Sequence, residues 1–249
     1  MAILPVMFAL GFGYAVQVGF TNVPGVGSNT LAVPGLPAYP TLEMGDLLAA
    51  VPTALIAGLV AALAIEAGRR IRVVSSPRPL AAILVAGLLV AALALTVQYT
   101  TTLSVDAVLF SGQAAIPTVL TVTSVGTLLL VGIAKAVAYS VSLGGGYRGG
   151  MIFPAVYLGV VVGTTASLIL PSAAMAPMVA AGIAAGSAAV LRLPITSTML
   201  AVLLCAGSGL AITTPAIIGA CIGLLVRVAA DTRMAKGLPD NPTVETARA

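Results

Sequence analysis

The sequence predicts an all-α, polytopic integral membrane protein, and three observations carry that prediction. Apolar residues make up 59% of the 249-residue chain and charged residues only 7%, against about 25% charged in soluble domains. The apolar runs follow one another with short polar breaks, which leaves no space for a separate soluble core. Their lengths are uneven. Long runs alternate with short or glycine-broken ones, as expected of tilted, partly re-entrant helices rather than a bundle of uniform spans. Residues 1–230 therefore read as one transmembrane helical domain and 231–249 as a polar cytoplasmic tail.

Charge and composition narrow the function classes. The net charge of +4 arises from 11 basic and 7 acidic residues, and the basic ones cluster at the ends of apolar runs. That is the positive-inside pattern of a membrane protein rather than a nucleic-acid surface. There is no histidine, which removes histidine metal sites and serine–histidine chemistry together. Cys205 and Cys221 lie in apolar runs with neither disulfide nor metal spacing, so both are expected as small core residues. No metal and no cofactor is expected.

In chain order, Met1–Phe20 is apolar and reads as a span, with Gly11 and Gly13 permitting close helix contact. Its abrupt start suggests a chain that begins within a longer protein. The Pro/Gly-rich stretch Thr21–Tyr39 has no basic residue and is expected outside the cytoplasm. Leu47–Ala67 is the next span, entered through Thr41, Glu43 and Asp46, which suit a helix start. It leaves through a loop holding Arg69, Arg70 and Arg72, with Arg78 before the following span, Leu80–Val97. This Arg69–Arg78 connection is the strongest cytoplasmic marker.

Gln98–Asp106 is a threonine-rich break suited to the outer side, and Phe110–Pro117 reads as a helix or re-entrant piece too short to span. Val125–Leu143 carries Lys135 near its middle. A lysine at that depth either snorkels to the surface of a tilted helix or raises the positive potential of an ion path. Met151–Leu170 places Gly159 and Gly163 four residues apart, a face for close packing. Gly182 and Gly186 repeat that spacing in Ala174–Leu191, which Pro177 interrupts early. Ile195–Ala206 is too short to cross, and Thr214–Ala230, with Pro215 in its first turn, is the last long run.

Ser142–Pro154, which separates two spans, holds the most informative residues. Five glycines fall within the seven residues Gly144–Gly150, a composition unsuited to a lipid-facing helix. Irregular backbone at membrane depth persists only where protein buries it or a watery cavity meets it. A helix beginning near Gly150 or Met151 directs its unpaired amides and positive dipole end back into that break, forming an anion site without a full charge. A plain tight turn between two spans is the other reading of this stretch taken alone.

These residues resemble the second-half signature of the CLC family of chloride channels and chloride/proton antiporters, roughly G-S-G-x-x-G-G-I-F-x-P. Here it stands as Gly144–Pro154, followed by Leu158-Gly159. Ala189-Val190-Leu191-Arg192-Leu193-Pro194-Ile195-Thr196 is similar to the family's A-x-x-R-A-P-L-T, and Thr214–Ile218 resembles its L-P-M-I-I helix start. The Arg69–Arg72 stretch and Phe110-Ser111-Gly112-Gln113 fall in the right order upstream. The resemblance implies the second half of a CLC-type inverted-repeat fold, homodimeric in the plasma membrane. It implies chloride or a similar monovalent anion held by the backbone amides of Gly149, Gly150, Met151, Ile152 and Phe153. Apart from the resemblance, Lys135 and Arg148 read as electrostatic candidates, Arg148 either binding or attracting the anion or pairing with an acid elsewhere in the protein. Departures are specific. Met151-Ile152 stands for the family's Ile-Phe, with Phe153 one place late. Gly145 replaces a serine, Arg148 a proline, and the tyrosine of the last helix has no counterpart. The first-half motifs G-S-G-I-P and G-R/K-E-G-P are absent, so the chain reads as a half-length or truncated member that needs a first half to conduct.

Other classes fit less well. An intramembrane enzyme lacks histidine and a G-x-G-D context, and Ser140, five residues after Lys135, is poorly placed for a dyad on one helix face. A cation or solute transporter calls for buried carboxylates, yet Glu66 alone reads as lying within a span. A noncatalytic membrane scaffold does not account for the broken helices.

Overall fold

The computed structural model describes residues 3–20, 32–170 and 173–236. Among them all regular structure is helical, and five helices are long and apolar enough to cross a membrane: Met44–Ser75, Pro79–Thr100, Val125–Gly145, Ile152–Ile169 and Leu210–Arg233. The polytopic, all-α class is the one observed. Residues 1–31 and 32–249 form two separate units. In the first, Ile3–Phe20 forms α1, apolar along its length. Most of the Thr21–Tyr39 stretch and the end of the tail fall outside the described residues.

In the second unit, α2 (Met44–Ser75), α3 (Pro79–Thr100), α4 (Ile116–Leu120), α5 (Val125–Gly145), α6 (Ile152–Ile169), α7 (Met175–Leu191), α8 (Pro194–Leu204) and α9 (Thr213–Lys236) follow in order. Single 3-10 turns occupy Val105–Ala107 and Gln113–Ala115, so the stretch around Phe110–Pro117 is short and broken, as expected. The boundaries have local causes. Pro79 and Pro194 stand in the first turns of α3 and α8, where a missing N–H costs nothing. Ser124 caps α5 by accepting from the Thr127 amide, and Gly146 ends that helix at φ +95°, a left-handed position that favours glycine.

Helix α7 is the centre of this unit, with every residue from Ala176 to Ala189 buried. Its neighbours approach on small side chains, as dispersion between close backbones requires where lipid supplies no hydrophobic drive. Ala50 packs with Met178 and Ala181, and Ala54 and Ala57 pack with Ala185, so α2 runs parallel to α7. Gly219 lies on Ala181 and Gly223 on Ala185, making α9 parallel too. Gly159 meets Gly182 and Gly163 meets Met178, which sets α6 antiparallel, with both predicted glycine pairs at the crossing. The C-terminal ends of α2, α7 and α9 consequently share one end of the unit, and Arg69, Arg70, Arg72, Arg192, Arg227 and Arg233 gather there. Arg192 and Arg227 both pair with Asp231, at 3.0 and 3.1 Å.

Several sequence expectations need correction. Arg69–Arg72 is not a loop but the last turns of α2. Arginine is a good helix former, Gly68 serves close packing against Leu143 rather than a turn, and Arg70 pairs with Glu66 at 3.0 Å one turn back. The turn is confined to Ser76–Arg78. Helix α9 runs past residue 230 to Lys236, because Asp231 is held by its two arginines, so the tail does not begin at 231. Pro177 does not interrupt α7 but lies in its first turn. Cys205 is buried but Cys221 faces outward on α9.

Glu66 is likewise not alone among the acids. Asp46, in the first turn of α2, is 1% exposed. Its Oδ2 accepts from the Tyr39 hydroxyl at 2.6 Å and its Oδ1 from the Ala174 amide at 2.8 Å. Burial, and then this hydrogen bond, push the Tyr39 phenol pKa up. With both oxygens occupied, Asp46 caps α7 rather than offering a cation a ligand.

Close backbone contact yields a contrast in stability. Gly159→Val, which drives side-chain atoms into Gly182, should destabilise the protein by at least about 2 kcal/mol. Gly149→Ala, where an added Cβ meets nothing within 4 Å, should change stability by less than about 0.5 kcal/mol. Unfolding curves in one detergent check both.

Candidate functional site

The break between α5 and α6 is built by glycines with three different tasks. Gly144 and Gly145 belong to α5, which therefore extends two residues beyond the expected Leu143. A side chain at Gly144 would strike Ile71 of α2, and a Cβ at Gly145 would lie 2.5 Å from that of Ala86 on α3. Ser75 Oγ donates to the Gly144 carbonyl at 2.7 Å. Gly146 turns the chain. Gly149 and Gly150 are exposed and face open space, so packing does not account for them.

Between Tyr147 and Met151 the chain is irregular. The Tyr147 hydroxyl donates to the Ile83 carbonyl of α3 at 3.1 Å, and the Tyr139 hydroxyl donates to the Met151 carbonyl at 3.2 Å. Between these two ties, the amides of Gly149, Gly150 and Met151 meet no acceptor among the described residues. Helix α6 starts at Ile152, one residue later than the latest expected start, because Met151 serves as its N-cap. Ile152 and Phe153 occupy the first two helical positions, where no intrahelical acceptor exists. Pro154 follows and has no N–H to offer.

Lys135 does not snorkel. It is 1% exposed, and its Nζ donates to the carbonyls of Val108, Leu109 and Phe110 at 2.9, 3.0 and 3.0 Å. The ammonium also lies 5.1 Å from the centre of the Tyr157 ring, within cation–π range. A buried charge is tolerated when paired or fully bonded, and here three successive carbonyls supply that. They belong to a strained segment: Phe110 has φ +52°, uncommon for a bulky side chain. Gly112, at φ +79°, lies against Tyr157 and the Lys135 ammonium, and an added Cβ would come 2.8 Å from the ring.

A cavity of about 490 Å³ joins these parts, lined among others by Val90, Ser111, Lys135, Tyr139, Ser142, Arg148, Gly149 and Gly150. It reaches from Lys135, midway along α5, to Arg148 beyond that helix. Its exposed part, at Tyr147–Gly150, lies beyond the C-terminal end of α5. Of the residues predicted from sequence, Lys135, Arg148, Gly149 and Gly150 come together on this cavity. Met151 and Ile152 are exposed and Phe153 is half-buried, and their side chains do not line it. Arg148 is exposed and pairs with no acid among the described residues. Ser140 Oγ donates to the Ala136 carbonyl at 2.8 Å and Lys135 is engaged elsewhere, so the two form no dyad. Sequence reasoning missed Tyr139 and Tyr147. The only signal for Tyr139 is its position one turn after Lys135, on the same face of α5.

A family model described as "Voltage gated chloride channel" matches residues 1–227. No curated protein and no solved structure matches the chain.

The carbonyl cluster generates a test. Lys135→Met should leave buried acceptors without a donor and destabilise the protein by about 3 kcal/mol. Hydrogen exchange should then speed up at residues 108–112 more than in α7.

Proposed function

The chain belongs to the voltage-gated chloride channel family, and within that family we propose that it holds chloride, or a similar small monovalent anion, on the open amides at the start of α6. A multi-pass membrane protein of this family transports such anions as a channel or antiporter. The family's chemistry is transport, not catalysis. One observation carries the finer reading: unpartnered amides on Gly149, Gly150 and Met151, with the first two residues lining a cavity that has a buried ammonium at its inner part.

The division of labour is electrostatic. Amide dipoles and the positive end of α6 carry partial charges that replace part of a halide's water without trapping it. The amides of Gly149, Gly150, Met151, Ile152 and Phe153 are the donors. Lys135, its own bonds already made, adds long-range positive potential rather than a direct ligand. Arg148, exposed on the cavity lining, attracts anions from solution. Gly149 and Gly150 let an anion approach the backbone closely, which a side chain would obstruct.

In this reading the arginine end of the unit faces the cytoplasm of a cell membrane, the protein is a homodimer, and a first-half partner region completes the pore. The exposure of Tyr147–Ile152 on this chain supports that last point.

The chain should therefore be joined to the first half of a full-length family member, reconstituted in liposomes and assayed for chloride efflux. Gly150→Pro removes one donor, and losing a hydrogen bond to a charged ligand should cut efflux about tenfold or more. Unchanged efflux from folded protein would refute the amide site. Arg148→Ala should slow efflux by a smaller factor that shrinks as salt rises, because an exposed charge is screened.

A further inference from the structure

We propose that Tyr139 is a positioning residue for the anion site: its hydroxyl fixes the peptide plane between Met151 and Ile152 and so aims the Ile152 amide. The inference rests on the reading of α6's first amides as the anion donors, and adds the part that sets their direction.

Tyr139 lies on α5, buried, and its hydroxyl donates to the Met151 carbonyl at 3.2 Å. That carbonyl and the Ile152 N–H belong to one planar trans peptide, in which C=O and N–H point in opposite directions. Holding the oxygen toward α5 therefore holds the hydrogen the other way, out of the helix start. The first bond of the helix, from the Ala155 amide, reaches the same carbonyl, and the Tyr139 hydroxyl is the side-chain tie that adds to it from a neighbouring helix. Met151 is outside the helix and bears no side-chain cap, and its neighbour Gly150 restrains the plane least of any residue. The amides of Gly149, Gly150 and Met151 have no partner among the described residues.

Tyr139 is itself well anchored. It packs with Ala64 of α2 and Leu158 of α6. Lys135, four residues earlier on the same face of α5, is fixed by its three carbonyls. The hydroxyl thus links a rigid wall of the cavity to the one peptide that begins α6. An oriented donor gains more from an anion than one that must be ordered on binding.

The test uses the full chain in lipid nanodiscs, following the amide resonance of Ile152 while sodium chloride replaces sodium gluconate. In the natural chain this resonance should move saturably with chloride. Tyr139→Phe keeps the ring and removes the hydroxyl. It should raise the chloride concentration for half the shift about fivefold, the net worth of one hydrogen bond, with the melting temperature little changed. A purely structural role would instead lower the melting temperature and leave the affinity of the folded fraction alone. Equal half-shift concentrations in the two proteins would overturn the positioning role while the amide site stands. No chloride response of Ile152 in either protein would overturn both. Should Tyr139→Phe not fold, 3-fluorotyrosine placed at position 139, a stronger donor of nearly the same shape, should bind chloride more tightly than the natural chain. An unchanged or weaker affinity there would overturn the proposal.

Discussion

Three carbonyls in succession, those of Val108, Leu109 and Phe110, converge on one buried ammonium, that of Lys135. A bilayer allows broken backbone only where its polar groups find partners, and this chain has two such breaks on one cavity. The first break presents acceptors, and a built-in cation occupies them. The second, at residues 147–152, presents the amides of Gly149, Gly150 and Met151, which meet no acceptor among the described residues. A break that exposes N–H groups is complementary to an anion, just as one that exposes C=O groups is complementary to a cation. Without Lys135 the first break would lose its partner and the cavity its inner wall, since Tyr157 and Gly112 both rest against the same ammonium.

What keeps the two breaks in register is the closeness of the helices around them. Glycine at 159, 182, 219 and 223 lets α6, α7 and α9 meet backbone to backbone. Ala50, Ala54 and Ala57 do the same for α2. Side chains this small have few rotamers to lose and little room to rearrange, so the start of α6 inherits its position from the crossing with α7. The same economy of size explains why Gly144 and Gly145, although inside the glycine-rich stretch, serve packing and not the anion. Transport asks for a site held firmly enough to strip water yet reached through an open path. A rigid crossing beside an exposed, glycine-lined segment meets both needs.

Much of this was legible in the sequence, and the parts that were not share a cause. Spans follow from uninterrupted apolar runs, and the broken segment follows from its glycines, because both signals are local. At Arg69–Arg72 the charge pattern of a cytoplasmic connection suggests a loop, but arginine continues a helix readily. Asp46 looked like a simple helix-start acid. Its true partners, Tyr39 and the Ala174 amide, include one 128 residues away, beyond any local pattern. Lys135 could be placed at mid-span but not assigned a partner, since the carbonyls that bind it lie 25 to 27 residues upstream in a segment without regular structure. The tyrosines at 139 and 147 were invisible for the same reason. Their hydroxyls act on backbone oxygens, which leave no mark in a sequence.

The central claim is that uncharged main-chain donors, not a charged side chain, hold the halide. Bromide scatters anomalously and substitutes for chloride, so a crystal of the protein grown in bromide and measured at the bromine edge locates the ion directly. The account predicts a peak at about hydrogen-bond distance, slightly beyond the 2.7–3.2 Å of N–H···O contacts, from the amide nitrogens between Gly149 and Phe153. A peak seated on the Arg148 guanidinium with those amides out of reach, or no peak along the cavity from Lys135 to Gly150, would contradict it.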